Sequence, residues 1–336
     1  MLNLTEVMIN ACVKHLKWGY HSIYGNEKSD YADIITRSAN LCLGKISTTN
    51  ALYHNVEHTI LVTLTGQEIL RGKHLRQKNV SCEDWLHSIL SLLCHDIGFV
   101  KGICEQDRID QRLYTTGIDQ QMVSFSVGLT DASFNPYHVD RSKQFVLEQF
   151  AHIPAIDVET LKRNIELTRF PIPSDQAYKD TINFPGLVRA ADLIGQLADP
   201  EYLQKLPALF YEFEENGVTD HLGYSHPEDL RAAYPNFFWN VVYPYLGEAL
   251  KHLEVTPEGQ QIVTSLYNNV LIVEQELATQ SAQCPESQGV TLCSPALPKI
   301  SERLPEQTWQ KFNQWSESPF NTKDWFKDLL RQECLV

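Results

Sequence analysis

Apolar residues recur along most of the chain at the three- and four-residue spacing of an α-helix, and convincing alternating strands are absent. The clearest segment runs from about residue 50 to residue 71, and Gly72 is its expected end. Its apolar positions are Val56, Ile60, Leu61 and Leu64. The pattern predicts an all-α protein in which this segment forms one long helix.

Two later segments combine the same spacing with signals for helix ends. Ser81 and Asp84 have the spacing of a capping box, which predicts a helix that begins there and ends near Gly98. Another helix is predicted over residues 186–198, because an Asp-Pro pair follows it. Further helices are expected near the N-terminus and at about residues 143–151, 157–169, 201–216, 229–253 and 258–279.

Two stretches depart from simple helical spacing. Pro235 and Pro244 are expected to break or kink the segment 229–253, because proline cannot donate a backbone hydrogen bond. Residues 102–137 fit a short helix between loops that face a substrate.

A change of composition after Glu276 divides the chain into two parts. Residues 1–278 are predicted to form the main domain, and residues 50–200 contain its candidate metal-binding residues. Residues 279–336 begin with a Ser-, Gln- and Pro-rich linker and continue as an amphipathic extension. Its aromatic residues are Trp309, Phe312, Trp315, Trp325 and Phe326. This C-terminal helical extension either docks on the main domain or offers a surface to a partner.

The charge balance narrows the range of ligands. The 336 residues include 28 Lys and Arg against 42 Asp and Glu, a net charge of −14. This excess argues against binding of polymeric nucleic acid, whose backbone is also negative. A small anionic substrate is still compatible, because a bound cation sets the local field in a pocket.

Neither a membrane segment nor a disulfide framework is expected. No apolar run approaches the ~20 residues that cross a bilayer, and the N-terminal segment reads as an amphipathic helix rather than a signal peptide. The eight cysteines are dispersed without a CxxC pair, which is typical of reduced thiols in a cytoplasmic protein.

The candidate chemistry lies in histidines and aspartates of three apolar segments. His54 and His58 are four residues apart, so on one helix they would share a face. His95 and Asp96 are adjacent near the end of the second helix, where they would diverge by about 100° and still reach one ion. Asp192 flanks the apolar side of the third helix. Imidazole and carboxylate groups in this pattern predict a divalent metal site.

The strings that carry these residues resemble a known superfamily. YHNVEH, LLCHDIG and RAADLIG, in this order, are similar to the motifs of the HD-domain metal-dependent phosphohydrolases. The first string is nearest to the HNxxH signature of the class I cyclic-nucleotide phosphodiesterases. After the His-Asp pair this chain continues as IGFVKG, whereas those phosphodiesterases have another histidine and a Pro-Gly. The resemblance implies an all-α, phosphodiesterase-like helical bundle.

The resemblance also implies roles for individual residues. His58, His95, Asp96 and Asp192 would bind the first metal, and Asp96 would bridge to a second metal when one is present. His54 would protonate the leaving oxygen. The catalytic residues that the resemblance implies are therefore His54, as the acid, and Asp96, as the bridging ligand. Asn55 and Glu57 would orient the ligands. One or two divalent ions are implied, among Mn, Fe, Zn, Co, Ni and Mg.

Four further residues are candidates for substrate or second-metal contacts. Lys101 follows Asp96 by five residues and could contact phosphate. Arg141 and Arg169 are weaker candidates for the same role, because structural ion pairs are common for arginine. His138 could bind a second metal, although packing in a loop is the simpler interpretation.

The leading hypothesis is a metal-dependent phosphoesterase that acts on a nucleotide or a related small phosphorylated molecule. Two alternatives are a module that senses a nucleotide or docks a partner without catalysis, and a di-iron oxygenase. The oxygenase would need further histidines such as His138 or His152. Polymeric nucleic acid and membranes are not expected partners, and formation of a homo-oligomer is left open.

Overall fold

The protein is built almost entirely from helices, as the pattern predicts. The computed structural model describes residues 3–283 and 306–316, which contain thirteen α-helices and one two-stranded hairpin. The helices are α1 (Leu4–Tyr24), α2 (Ser29–Ile46), α3 (Val56–Gln77), α4 (Cys82–Cys94), α5 (His138–Phe150), α6 (Val158–Glu166), α7 (Phe184–Leu197), α8 (Tyr202–Glu215), α9 (Val218–Leu222), α10 (Pro227–Phe237), α11 (Gly247–Leu253), α12 (Pro257–Gln283) and α13 (Glu306–Ser316). The all-α fold class is therefore confirmed.

The segment between α4 and α5 contains the hairpin instead of the short α-helix expected there. Strands β1 (Leu113–Thr115) and β2 (Met122–Ser124) are antiparallel, and short 3₁₀ turns flank them. Three residues of the connecting turn, Gly117, Asp119 and Gln120, have positive φ angles. Such angles are incompatible with a continuous right-handed helix, which explains why the helical prediction is wrong here.

Helix α3 is the central element of the fold. Side chains are buried on nearly all of its faces. One apolar cluster joins it to α1, α2, α4 and parts of α5 and α6. The other joins it to α7, α8, α10, α11 and α12. A helix surrounded in this way can present polar side chains to the interior from a fixed position.

Close contact between α3 and α7 depends on a glycine. A Cβ atom at Gly195 would lie 2.6 Å from the Cα atom of Val62, which is too close for two carbon atoms. Asp192 is one turn before Gly195 on α7, and His58 is one turn before Val62 on α3. The glycine therefore lets the two helices approach closely enough for these polar residues to meet.

The helix ends differ from the predictions at several places. Helix α3 begins at Val56 rather than near residue 50, and it continues through Gly72 to Gln77. The segment 229–253 is interrupted as expected: Pro235 lies in the last turns of α10, and Pro244 lies in a 3₁₀ turn before α11.

The described part of the C-terminal region, residues 306–316, packs against the end of the main domain. Helix α12 continues to Gln283, past the predicted boundary at residue 278. Trp309 of α13 packs against the apolar cluster around α12, and Lys311 forms an ion pair with Glu254. Residues 284–305 and 317–336, with Trp325 and Phe326, and the side chains of Phe312 and Trp315 lie outside the described part of the chain.

Over residues 3–283 and 306–316, no helix combines the length and the apolar character that a membrane crossing requires. In the same part of the chain the cysteines are free and buried: Cys12, Cys42, Cys82, Cys94 and Cys104.

Candidate metal centre

His54 and His58 lie on either side of the start of α3 rather than on one helical face. Asn55 is the N-cap residue, and its side-chain oxygen accepts hydrogen bonds from the backbone N–H groups of Glu57 (3.0 Å) and His58 (3.4 Å). Asparagine is among the residues that most favour this position, which is why the helix starts here. The two imidazoles still meet, with ring centroids 5.4 Å apart. The predicted proximity is therefore correct, but its helical explanation is wrong.

The His95-Asp96 pair lies where α4 ends. The helix stops at Cys94, His95 is its C-cap residue, and Asp96 has already left the helix. The Nδ1–H of His95 donates to the carbonyl oxygen of Leu92 at 2.7 Å, so the lone pair of Nε2 is available. Both side chains reach the same point from the end of the helix, as predicted.

Donor atoms from three segments converge at this point. The Oδ2 atom of Asp96 lies 3.2 Å from Nε2 of His58 and 3.1 Å from Nε2 of His95. The Oδ1 atom of Asp192 lies 3.6 Å and 3.4 Å from the same two nitrogens. Ligands bound at ~2.0–2.2 Å around one ion are separated by about 2.8–3.6 Å when they are neighbours in octahedral or tetrahedral geometry. The spacing therefore matches a group of metal ligands.

The hydrogen bonding of these atoms also fits a metal. His58 Nε2, His95 Nε2 and Asp96 Oδ2 are buried, and no described group forms a hydrogen bond with them. Buried polar atoms are almost always paired, so such a cluster requires a binding partner. His58, His95 and Asp192 could thus hold a metal ion. The Oδ2 atom of Asp96 lies beside this group, within 3.2 Å of both imidazole nitrogens.

The electrostatics of the cluster favour a cation at its centre. Burial alone would raise the pKa of Asp96, but the charge of His95 and the close imidazole nitrogens of His58 and His95 hold it well below its usual value. The pKa of Asp192 is lowered to about 2, because the same imidazoles outweigh the effect of burial. Burial alone would lower the pKa of His95, but the two carboxylates raise it well above its usual value. The site therefore binds positive charge, either as protons or as a metal ion.

A buried carboxylate orients His54, and sequence reasoning missed it. The Oε1 atom of Glu212, on α8, accepts a hydrogen bond from the backbone N–H of Tyr53 at 2.7 Å. The Oε2 atom of the same carboxylate lies 2.5 Å from Nδ1 of His54. Burial lowers the pKa of His54, but the charge and hydrogen bond of Glu212, with contributions from Asp96 and Asp192, raise it to about 9. Glu212 thus fixes the ring and favours its protonated form. The sequence signal is an acidic residue three positions after the buried Leu209, on the apolar face of α8.

An aromatic ring separates His54 from a fourth imidazole, that of His138. Phe99 is stacked on His54, with centroids 4.8 Å apart, and on His138, with centroids 4.4 Å apart. The Nδ1–H of His138 donates a hydrogen bond to the carbonyl oxygen of Asn135. The Nε2 atom of the same ring lies 3.8 Å from Oδ1 of Asp96. His138 is therefore placed beside the metal cluster, as a ligand of a second metal would be.

The candidate basic residues have protein partners. Lys101 forms an ion pair with Asp131 at 3.1 Å and donates to the carbonyl oxygen of Leu129. Arg169 is paired with Asp140 and Glu166, and its side chain is 27% exposed. Both positive charges are therefore already balanced by carboxylates.

Arg141 has a structural role instead of the predicted contact with substrate. Its side chain is fully buried, and each of its five N–H groups has a protein acceptor. The acceptors are the carbonyl oxygens of Gly98, Val100 and Thr115 and both carboxylate oxygens of Asp107. No donor is left for a substrate, so this prediction is corrected.

Glu57, which the resemblance implied as an orienting residue, is paired with a lysine. It forms an ion pair with Lys205 at 2.8 Å, and Lys205 also binds Asp199 at 2.7 Å. Asn55, by contrast, holds the backbone of His58 directly, which agrees with the implied role.

Fold and site together define an all-α protein with a buried histidine–aspartate group that could hold a metal ion. The sequence profile of the Npun_R2479-like family matches residues 2–276. The chain therefore belongs to this family, whose name states no activity. No curated protein matches the sequence.

Proposed function

We propose that this protein is an HD-domain phosphohydrolase that hydrolyses a phosphoester bond of a nucleotide or related small phosphorylated molecule. The observation that carries the proposal is the convergence of His58, His95, Asp96 and Asp192 on one point without hydrogen-bond partners for three of their atoms. Mixed nitrogen and oxygen donors suit Mn, Fe, Zn, Co or Ni, and Mg suits an oxygen-rich second position. A cation bound there supplies Lewis-acid chemistry and lowers the pKa of water.

His54 is the proposed acid. Its Nδ1 atom is engaged by Glu212, so Nε2 is the atom that donates a proton. In the proposed hydrolysis a water molecule adds to phosphorus, the phosphorus–oxygen ester bond breaks, and the departing alcohol oxygen receives the proton of His54. Lys101 and Arg169 are balanced by carboxylates, so cations and protonated His54 counter most of the substrate charge.

The surroundings of Asp96 support hydrolysis better than di-iron chemistry. His138 lies beside Asp96, but His152 is exposed beyond the end of α5. Fourteen residues separate the two positions, which corresponds to about 20 Å along a helix. The oxygenase alternative requires several further histidine ligands for a second iron, and of these two candidates His138 alone lies at the cluster.

The proposed location is the cytoplasm. The buried free thiols support it, because disulfides are rare in that reducing compartment.

The test combines metal analysis with turnover. Wild-type protein, Asp96→Ala and the exposed control His152→Ala are purified, analysed for bound metals and offered a panel of phosphomonoesters and phosphodiesters. We expect a divalent metal and phosphate or nucleoside release in the wild type and the control. Asp96→Ala should lose more than about a hundredfold of the activity, since even residues behind the ligands cost ~10–100-fold. Full metal loading without turnover of any ester would contradict the proposal and favour a sensing or docking module, and oxygen consumption with bound iron would favour an oxygenase.

A further inference from the structure

Two cavities flank the metal cluster, and they differ in size and charge. The smaller one, about 140 Å³, lies beside His58 and is lined by Glu57, Asp199 and Lys205, whose charges sum to a negative value. The larger one, about 300 Å³, lies on the side of His138. Small-molecule sites usually measure ~300–1,000 Å³, so only the second cavity accommodates an organic group. We call it the α5–α9 pocket.

The α5–α9 pocket lies next to the proposed reaction centre, and His138 is the residue that connects the two. His138 lines it, and the Nε2 atom of the same ring lies 3.8 Å from Oδ1 of Asp96. The hydrogen bond from Nδ1 to Asn135 and the stacking on Phe99 hold this ring in place. One imidazole ring therefore lies between the pocket and Asp96 of the cluster.

The walls of the pocket combine a flat apolar surface with neutral polar groups. Phe170 is 41% exposed and packs edge-on against Phe237, which leaves it accessible to a ring from the ligand. The side-chain N–H groups of Asn216 donate hydrogen bonds to the backbone carbonyl oxygens of Ala132 and Glu212. The side-chain oxygen of Asn216 can therefore accept a hydrogen bond from a ligand hydroxyl. Val218 supplies an apolar wall.

The charges beside the pocket cancel. Arg169 and Lys143 are both paired with Asp140 and Glu166, which gives two positive and two negative groups. A neutral wall does not attract a second phosphate. It favours an uncharged polar group with one flat face, such as a nucleoside.

We propose that the α5–α9 pocket binds the nucleoside of a nucleoside monophosphate, with the base against Phe170 and the phosphate at the metal cluster. This inference rests on the proposed function and makes its substrate class specific. The volume of about 300 Å³ admits one nucleoside. Hydrolysis breaks the bond between phosphorus and the sugar oxygen, water supplies the new oxygen on phosphorus, and His54 protonates the released sugar hydroxyl.

The main test fills the pocket from one side. Val218→Trp introduces a large ring into it, and Leu222→Trp introduces the same ring at an exposed position of the same short helix that does not line the pocket. For adenosine monophosphate we expect Val218→Trp to raise KM by about tenfold or more, as expected for a misfit in an apolar pocket. Leu222→Trp should leave KM unchanged. Hydrolysis of glycerol 2-phosphate, which does not reach the pocket, should be the same in all three proteins.

A second variant guards against misfolding of the first. Phe170 is largely exposed, so Phe170→Ala is expected to fold, and it should raise KM for adenosine monophosphate by about three- to tenfold through loss of aromatic contact. An unchanged KM in both Val218→Trp and Phe170→Ala, with unchanged metal content, would overturn the pocket assignment.

Equilibrium binding separates failure of the pocket from failure of the proposed function. Adenosine monophosphate is titrated calorimetrically into the metal-loaded wild type and into Val218→Trp. Binding by the wild type alone supports the pocket even if no ester is hydrolysed, and in that case only the hydrolytic proposal is lost. Equal binding by both proteins, or binding by neither, overturns the pocket assignment.

Discussion

Two buried polar clusters lie side by side in this protein, and only one of them has the character of a functional site. In the Arg141 cluster every N–H group of the guanidinium meets an acceptor, and Asp107 neutralises its charge. In the metal cluster, lone pairs of His58, His95 and Asp96 face one another without donors between them. Both clusters are buried and both contain charges, so burial and charge do not distinguish them.

The distinction is the completeness of hydrogen bonding. A satisfied cluster such as that of Arg141 joins the segment after Asp96 to the hairpin and to α5. A cluster of acceptors without donors is unfavourable unless a cation occupies it. Four changes test whether this distinction holds.

The largest effect is expected for a metal donor. His95→Ala removes one nitrogen and should weaken metal affinity by more than about a hundredfold, because changes behind the ligands already cost ~10–100-fold. The exposed control His152→Ala should bind metal like the wild type. Competition with a chelator, followed by metal analysis, measures both. Equal affinities would show that these atoms do not bind the ion.

The corresponding change in the satisfied cluster should affect folding and leave the metal unaffected. Arg141→Met leaves the buried carboxylate of Asp107 unpaired, which should lower the free energy of unfolding by about 3–5 kcal/mol. The control Arg231→Met removes an arginine paired with Glu276 near the surface, and it should cost less than about 1 kcal/mol. Urea unfolding measures the free energies. A reduced metal content of folded Arg141→Met protein would contradict the division into two clusters.

A smaller effect is expected for the carboxylate behind His54. Glu212→Gln keeps an oxygen for the N–H of Tyr53 but removes the charge that favours protonated His54. We expect kcat to fall about 10–100-fold, with metal content unchanged and a shifted pH profile. Glu215→Gln removes a charge one turn later, where the partners are Thr130 and Ser133, and serves as the matched control. Identical kcat values and pH profiles in both variants would exclude a positioning role for Glu212.

The smallest effect concerns a buried histidine with the opposite pKa shift. Burial, together with the positive charges of Lys73 and Arg76, lowers the pKa of His252 to about 4. The unfolded chain, with a histidine pKa of about 6.5, then binds more protons than the folded chain between pH 6.5 and 4. Stability should therefore fall by about 1–2 kcal/mol as the pH drops through this window.

His252→Leu should reduce this dependence on pH, and His152→Ala should retain it. Thermal unfolding with a chelator present isolates the effect from metal loss. A wild type and a His252→Leu variant with the same pH dependence would show that His252 does not contribute.

The sequence predicted which helices form and which residues could bind a metal. It predicted less well where the helices begin and how the side chains are arranged. Helical spacing and the Ser81–Asp84 capping box located α4, and the box is present. The start of α3 was misplaced, because Asn55 fits a helical pattern as readily as a cap until its hydrogen bonds are known. The hairpin at 113–124 was missed because its strands have only three residues each. Local patterns of this length carry too little information to define a fold.

For the site, residue types alone were sufficient to predict a role only where they indicate one specific chemistry, such as metal binding by histidine and aspartate. Histidines and aspartates in apolar helices indicated the metal cluster, and the structure brings all four together. Arg141 was misinterpreted, because an arginine in sequence gives no indication of how many acceptors surround it. Glu212 was missed because it is 158 residues from His54, and only the fold brings the two together.

Gly195 shows how a residue without any functional group can determine whether the cluster forms. Its missing side chain allows α7 to touch the backbone of α3 at Val62. Even alanine at this position would act as a wedge that separates His58 from Asp192. Random mutagenesis that selects for metal-deficient protein should therefore recover substitutions at Gly195 alongside those of the donors, and a search restricted to side chains that bind ions would overlook them.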